Sequence, residues 1–129
     1  MKLFLDTHVF LWWIASAARL SHRARRLIEN GENELYLSTA SVWEMSIKAG
    51  LGKLSFPEGR PNFIREQIEM NAVIPLPVSL DHAVYVQNLP SIHRDPFDRM
   101  IISQALTERM PIVSADEQIA KYDVEVIWK

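Results

Sequence analysis

The segment Lys2-Leu3-Phe4-Leu5-Asp6 constrains this chain most. Three large apolar residues follow one another and then stop at an aspartate. A short run without alternation reads as a strand covered on both faces, the kind found in parallel sheets. A carboxylate at the carboxyl end of such a strand lies where open α/β sheets build their sites. Near the other end of the chain, Pro111-Ile112-Val113-Ser114-Ala115-Asp116 repeats the pattern. Two further acids, Glu44 and Asp98, stand at the expected starts of helices.

The rest of the sequence alternates strand and helix. Lys2 to Asp6 is the first strand. Val9 to Ile14 and His22 to Asn30 read as helices, the second with Ser21 as N-cap and Gly31 just past its end. Glu34 to Ser38 is a strand, and Ala40 to Ala49 a helix closed by Gly50 and Gly52. Pro57 to Arg60 is a turn, Asn62 to Met70 a helix, and Val73 to Val78 a strand that Pro75 and Pro77 make irregular or confine to an edge. Ser79 caps a helix over Leu80 to Asn88, and Asp95-Pro96 opens one that runs to about Arg109. Ile112 to Ser114, a short helix over Glu117 to Lys121, and a strand over Val124 to Trp128 complete the chain. This order predicts an α/β fold with a mostly parallel sheet and helices on both faces.

Residues 1–129 read as a single domain with a substantial core, without repeat, linker or charge run. The absence of cysteine excludes disulfides, thiolate metal sites and a cysteine nucleophile. Only three apolar residues separate Lys2 from Asp6, too few for a signal peptide, and the longest apolar run, Val9 to Ala15, is too short for a membrane span. A cytoplasmic location is the expectation. A net charge of −2 lacks the basic excess usual in nucleic-acid binders. Bound divalent cations would neutralise an acidic site and let it accept a polyanion.

Each acid has a structural explanation of its own. Asp6 suits a helix N-cap. Ser41-Val42-Trp43-Glu44 matches the S-x-x-E capping box, which by itself favours a structural Glu44. In Asp95-Pro96-Phe97-Asp98, Asp95 fits the N-cap, Pro96 fits N1, and Asp98 falls at N3, favourable to the helix dipole. Asp116 suits the cap of the helix through Ile119.

Together the four point elsewhere. Asp6, Glu44 and Asp116 follow expected strands and share the carboxyl edge of the sheet; Asp98 joins them if its helix starts at the same edge. Four like charges there repel one another without a counter-ion. Hard oxygen donors favour Mg²⁺ or Mn²⁺ over zinc. One or two such ions orient and help deprotonate a water and stabilise the leaving oxygen of a phosphodiester. No serine–histidine–acid or cysteine–histidine set competes, and neither G-x-G-x-x-G nor a Walker A loop is present.

On these residues the sequence resembles the PIN-domain family, in particular the VapC-type toxins of bacterial toxin–antitoxin pairs. The motifs that carry the resemblance are Phe4-Leu5-Asp6-Thr7-His8, Ser38-Thr39-Ala40-Ser41-Val42-Trp43-Glu44, His93-Arg94-Asp95-Pro96-Phe97-Asp98-Arg99 and Val113-Ser114-Ala115-Asp116. The third, followed by Met100 to Ala105, is the most distinctive. The resemblance implies a three-layer α/β/α sandwich and metal-dependent cleavage of RNA by an endoribonuclease. It assigns the catalytic, metal-holding acids to Asp6, Glu44, Asp98 and Asp116, with Mg²⁺ or Mn²⁺ as cofactor. Thr7 and Ser114 match small hydroxyl positions beside the metal; Ser114 stands where threonine is usual. Asp95 is an alternative or a helper to Asp98, though Pro96 favours it as a cap. Arg99 is a candidate phosphate contact, weighed against a structural or solvated arginine; Arg94 is similar. His93 and His8 read as packed or capping histidines.

Val9 to Ile14 covers every side of a helix with apolar residues, more than one core accepts. Either the helix is central in the monomer or part of it meets another protein. The resemblance implies the latter: a homodimer and a cognate antitoxin laid along an apolar groove. Two other readings remain, a metal-dependent phosphohydrolase on a different substrate and a catalytically silent binding module of the same fold. A dehalogenase-like phosphatase needs D-x-D where this chain has Asp6-Thr7-His8, and the four acids argue against a silent module.

Overall fold

A computed structural model describes residues 1–57, 60 and 62–129. The expected turn over Pro57 to Arg60 includes residues 58 and 59, which lie outside the described residues.

Five strands form one wholly parallel sheet in the order β3-β2-β1-β4-β5. They are β1 (Lys2–Leu5), β2 (Glu34–Ser38), β3 (Ile74–Leu76), β4 (Ile112–Val113) and β5 (Val126–Ile127). The helices between them are α1 (Thr7–Ile14), α2 (His22–Glu29), α3 (Thr39–Gly50), α4 (Phe63–Met70), α5 (Leu80–Tyr85) and α6 (Pro96–Glu108). β1 lies at the centre, pairing Leu5 with Leu37 of β2 on one side and with Val113 of β4 on the other. Its unbroken apolar run is explained by this position, since neither face meets water.

Side chains alternate across the sheet with the strand period of two. Leu3 and Leu5 join one core with Leu35, Leu37 and Val113, covered by Val9 and Phe10 of α1, Ala24 and Ile28 of α2, Met45 of α3, and Ile64 and Ile68 of α4. Phe4 and Ile112 point to the other face, where Ile101, Ile102 and Ala105 of α6 and Tyr85 of α5 cover them. The result is a three-layer α/β/α sandwich with four helices on one face and two on the other. Each large side chain withdrawn into these cores contributes ~1.5–3 kcal/mol.

Local signals explain most of the boundaries. Ser21 caps α2 by accepting from Ala24 N at 3.1 Å. β3 takes the sheet edge, where Pro75 is tolerated, and is shorter than the expected Val73 to Val78. Ser79 and His82 form a reciprocal capping box at the start of α5, with the histidine in the place usually taken by an acid. This helix ends at Tyr85, and residues 86–88 tighten into a 3-10 turn. Residues 119–121 are also a 3-10 turn where a short α-helix was expected. Arg109 ends α6 in the left-handed region, at φ 57°.

Much of the apolar run of α1 packs within the chain. Val9 and Phe10 are buried, and Leu11 to Ile14 are half-buried against the same core. Trp12 packs on Trp128 with ring centroids 5.8 Å apart, and the Arg19 guanidinium lies 4.8 Å from the Trp12 ring. Exposed large apolar side chains lie elsewhere, notably Trp43 and Ile47 on α3, Leu51 at its C-cap, and Leu80 and Val84 on α5. No helix among the described residues is long and apolar enough to cross a membrane.

Candidate active site

The parallel sheet sends β1, β2 and β4 to the same edge, and the segments that leave them carry the acids. Asp6 is the residue between β1 and α1. Its backbone has the extended conformation of an N-cap, yet its side chain makes no capping bond. Ser114 Oγ instead donates to Asp6 Oδ2 at 2.7 Å, while Asp6 Oδ1 is buried without a partner. Burial is the main cause that holds the Asp6 carboxyl above the usual carboxylate range. Repulsion from Asp116 adds to it, and the Ser114 hydrogen bond and the nearby His8 oppose it.

Glu44 arrives by a different route from the one expected. Ser38 ends β2 and caps α3 by accepting from Ala40 N at 3.0 Å, so the helix starts at Thr39 without a linker. Ser41 therefore lies inside the helix and is not the N-cap, and the S-x-x-E segment is not a capping box. Glu44 is a mid-helix residue rather than a strand-end one, carried inward by the second turn of α3. It is 6% exposed, with Lys48 donating to Oε2 at 3.1 Å and Oε1 buried without a partner. Thr7 donates to Ser41 Oγ at 2.8 Å, tying α1 to α3 beneath the acids.

Asp98 is at N3 of α6, and Asp95 is the cap: its Oδ1 accepts from Phe97 N at 2.8 Å and Asp98 N at 3.4 Å. With the cap supplied by Asp95, the Asp98 side chain is left for other contacts. Its carboxyl is raised to about 7, first by burial, then by repulsion from Asp6 and Asp95 and to a lesser extent Glu44, against the opposing pull of His93. Asp116 follows β4, with its Oδ1 accepting from Gln118 N at 2.8 Å. Its backbone N–H donates to Ser114 Oγ at 3.0 Å, so one serine joins Asp116 to Asp6.

Asp98 thus lies within electrostatic reach of Asp6 and Glu44, and Asp6 within reach of Asp116; among the described residues, Lys48 salt-bridges Glu44. A cleft of about 1360 Å³ lies elsewhere: Val42, Ser46 and Ala49 line it from the face of α3 opposite Glu44.

His93 is the residue that motif reasoning passed over. Its Nε2 lies 3.0 Å from both Asp98 Oδ2 and Asp116 Oδ2. One atom from each of the three lies within 4.8 Å of the others. Adjacency to Asp95 and Asp98 was the available signal; the contact with Asp116 depends on the tertiary fold.

Arg99 is held by backbone carbonyls. Its guanidinium donates to the carbonyls of Pro90 at 2.9 Å, Val86 at 3.3 Å, and Leu89 and His93 at 3.4 Å, and to Tyr122 Oη at 3.3 Å. These bonds occupy the planar fork and pin the segment before α6. The Ser114 hydroxyl touches a site acid directly, whereas the Thr7 hydroxyl is spent on Ser41.

Two buried carboxylate oxygens without donors are costly unless something positive meets them. Asp6 Oδ1 and Glu44 Oε1 are such oxygens, and they neighbour two further acids. This all-oxygen set fits a hard divalent cation.

The PIN domain family model matches residues 3–125. The chain belongs to the PIN domain family. Among PIN-domain relatives, it is similar to ribonuclease VapC22 of Mycobacterium tuberculosis, 26% identical over 121 residues that cover 93% of this chain and 91% of that one. It is also similar to ribonuclease VapC16 of the same organism, 34% identical over 67 residues covering 52% of this chain and 46% of that protein, just under half its length. The fold matches a chain in the crystal structure of VapBC2 from Rickettsia felis bound to a promoter DNA fragment. That match has a TM-score of 0.74 at 17% identity and covers 100% of both chains. A chain of the DNA-bound VapBC from Salmonella typhimurium matches with a TM-score of 0.72 at 15% identity, over 98% of this chain and 97% of that one.

Proposed function

We propose that this PIN domain is a VapC-type toxin, an endoribonuclease that hydrolyses RNA phosphodiester bonds with Mg²⁺ or Mn²⁺ and is inhibited by a cognate antitoxin. The observation that carries the catalytic part is the pair of buried, donor-free oxygens, Asp6 Oδ1 and Glu44 Oε1, beside two further acids. The names of the VapC22 and VapC16 relatives support RNA as the substrate class. The VapBC complexes among the structural neighbours support an antitoxin partner.

In this reading Asp6, Glu44, Asp98 and Asp116 hold the cation. When bound, it supplies a Lewis acid that makes water a better nucleophile at neutral pH and neutralises charge on the phosphate. The chain itself contributes orientation. Ser114 turns Asp6 so that Oδ2 is satisfied and Oδ1 is left free. Lys48 does the same for Glu44, engaging Oε2 and leaving Oε1. Without the cation, burial and the neighbouring acids raise Asp98 to about 7, and a bound cation would oppose that rise by favouring the carboxylate. No side chain need form a covalent intermediate.

The protein acts in the cytoplasm as a homodimer in this proposal. Exposed Trp43 and Ile47 on α3 and Leu51 at its C-cap recur every four residues, and Leu80 and Val84 do so on α5, giving apolar stripes suited to a second copy. The apolar cleft lined by Val42, Leu54, Phe56, Ile64 and Ile68 is the candidate seat for an antitoxin segment.

The test is incubation of purified protein with labelled RNA in Mg²⁺, Mn²⁺ or EDTA, beside Asp6→Asn. Cleavage that needs the metal and disappears in the variant is the expected result. Equal cleavage by the variant, or full cleavage in EDTA, would overturn the assignment.

A further inference from the structure

The two ring nitrogens of His93 have different neighbours. Nδ1 lies 3.2 Å from the backbone nitrogen of Asp95. A peptide N–H can only donate, so Nδ1 accepts and carries no proton, and the neutral ring holds its hydrogen on Nε2. Nε2 in turn lies 3.0 Å from Asp98 Oδ2 and from Asp116 Oδ2. Nε2–H donates to Asp116 Oδ2, and the same nitrogen keeps Asp98 Oδ2 in close contact, so one ring edge faces two carboxylates from different parts of the fold, the first turn of α6 and the segment after β4.

The backbone of His93 is held as firmly as its ring. Its N–H donates to Tyr122 Oη at 2.7 Å, and its carbonyl accepts from Arg99 at 3.4 Å. Arg99 also donates to the same Tyr122 hydroxyl, at 3.3 Å, which closes a clamp around residue 93.

We propose that His93 is a positioning residue: through Nε2–H it sets the spacing of Asp98 and Asp116 for a divalent cation, and the Asp95 amide locks the ring in the tautomer that cannot ligate that cation itself. This rests on the reading of the four acids as a cation site. The competing arrangement, with Nε2 as a nitrogen ligand, requires the ring proton on Nδ1. There it would meet the Asp95 N–H, donor against donor, and Asp95 N would lose its acceptor. Outer hydrogen bonds that orient carboxylate ligands are a general means of tuning a metal site.

The first test is a long-range ¹H–¹⁵N spectrum of uniformly ¹⁵N-labelled protein in saturating Mg²⁺. The expected His93 signals are a bare Nδ1 and a protonated Nε2. A protonated Nδ1 would overturn the proposal. The second is calorimetric titration with Mn²⁺, without RNA. His93→Ala is expected to weaken binding by about 10- to 100-fold, and His93→Gln, whose amide can donate, to recover part of it. Unchanged affinity in a folded His93→Ala protein would remove the positioning role and leave the cation site standing. Should His93→Ala fail to fold, His93→Gln and the wild-type spectrum still decide the matter. A wild-type protein that binds neither Mn²⁺ nor Mg²⁺ would overturn the cation reading and this inference with it.

Discussion

Ser114 donates its hydroxyl to Asp6 Oδ2 at 2.7 Å, joining residues 108 positions apart in the chain. The same oxygen accepts the Asp116 N–H at 3.0 Å. Ser114→Ala strips both groups of their partner in a buried setting, so unfolding in urea should show a loss of about 1–3 kcal/mol. Ser114→Thr keeps the hydroxyl and should retain most of the stability and most of the Mn²⁺ affinity.

Asp6→Asn separates stability from activity. The substitution keeps an acceptor for Ser114 and removes a charge that Asp98 and Asp116 both oppose. The melting temperature without metal should stay level or rise, while RNA cleavage falls below detection. A marked drop in melting temperature would mean that Asp6 serves the fold rather than the site.

The acid cluster sets a pH dependence with a definite sign. Folding raises the Asp98 carboxyl from an ordinary aspartate value of 3.8 to about 7. The folded state then holds more protons than the unfolded chain between those values, so stability falls as pH rises across that window. The Asp98 contribution is fully present below about 3.8 and is lost as pH passes about 7. Asp6 is displaced in the same direction. Metal-free protein should therefore melt at lower temperature at pH 8 than at pH 6 as far as these groups contribute. Mg²⁺ at about 100 times its Kd should restore ~2.7 kcal/mol. Calorimetric scans at several pH values, with and without Mg²⁺, check both parts.

Arg99 should matter for stability and not for RNA affinity. Arg99→Ala abandons the carbonyls of Val86, Leu89, Pro90 and His93, and Arg99→Lys cannot reproduce the planar fork. Both variants should lose ~2 kcal/mol or more in denaturant titrations. The slope of RNA affinity against salt should stay unchanged, because no phosphate contact is lost.

The exposed stripes of α3 and α5 predict the oligomeric state. Wild-type protein should sediment as a dimer at micromolar concentration. Ile47→Asp and Val84→Asp introduce charges at exposed apolar positions, and either should shift the protein towards monomer with little change in melting of the monomeric fold. A wild-type monomer would exclude the homodimer.

The sheet was legible because local pattern and burial agree. Leu3-Phe4-Leu5 and Ile112-Val113 are continuous apolar runs, and those strands occupy the interior of the sheet. Pro75 announced an edge, and β3 is one. Asp95-Pro96 announced a helix start, and its cap bonds are present. The helix over Ala40 to Ala49 is present with one more residue at each end, but the capping box of Ser41 and Glu44 is not, since Ser38, Thr39 and Ser41 are all plausible caps and only the end of β2 distinguishes them. Part of the apolar run over Val9 to Ile14 is used within the chain. Trp12 meets Trp128 and Arg19, whose proximity no local window reveals.

By itself, then, the sequence determined the strands, the helices and the four acids, because propensity and periodicity are properties of neighbours along the chain. Tertiary structure alone decided how those acids are partnered. It gave Ser114 to Asp6, His93 to Asp98 and Asp116 together, and it committed Arg99 to backbone carbonyls. Each of these depends on distance and on which lone pair or proton faces which group. Those quantities exist only once distant segments are packed against one another.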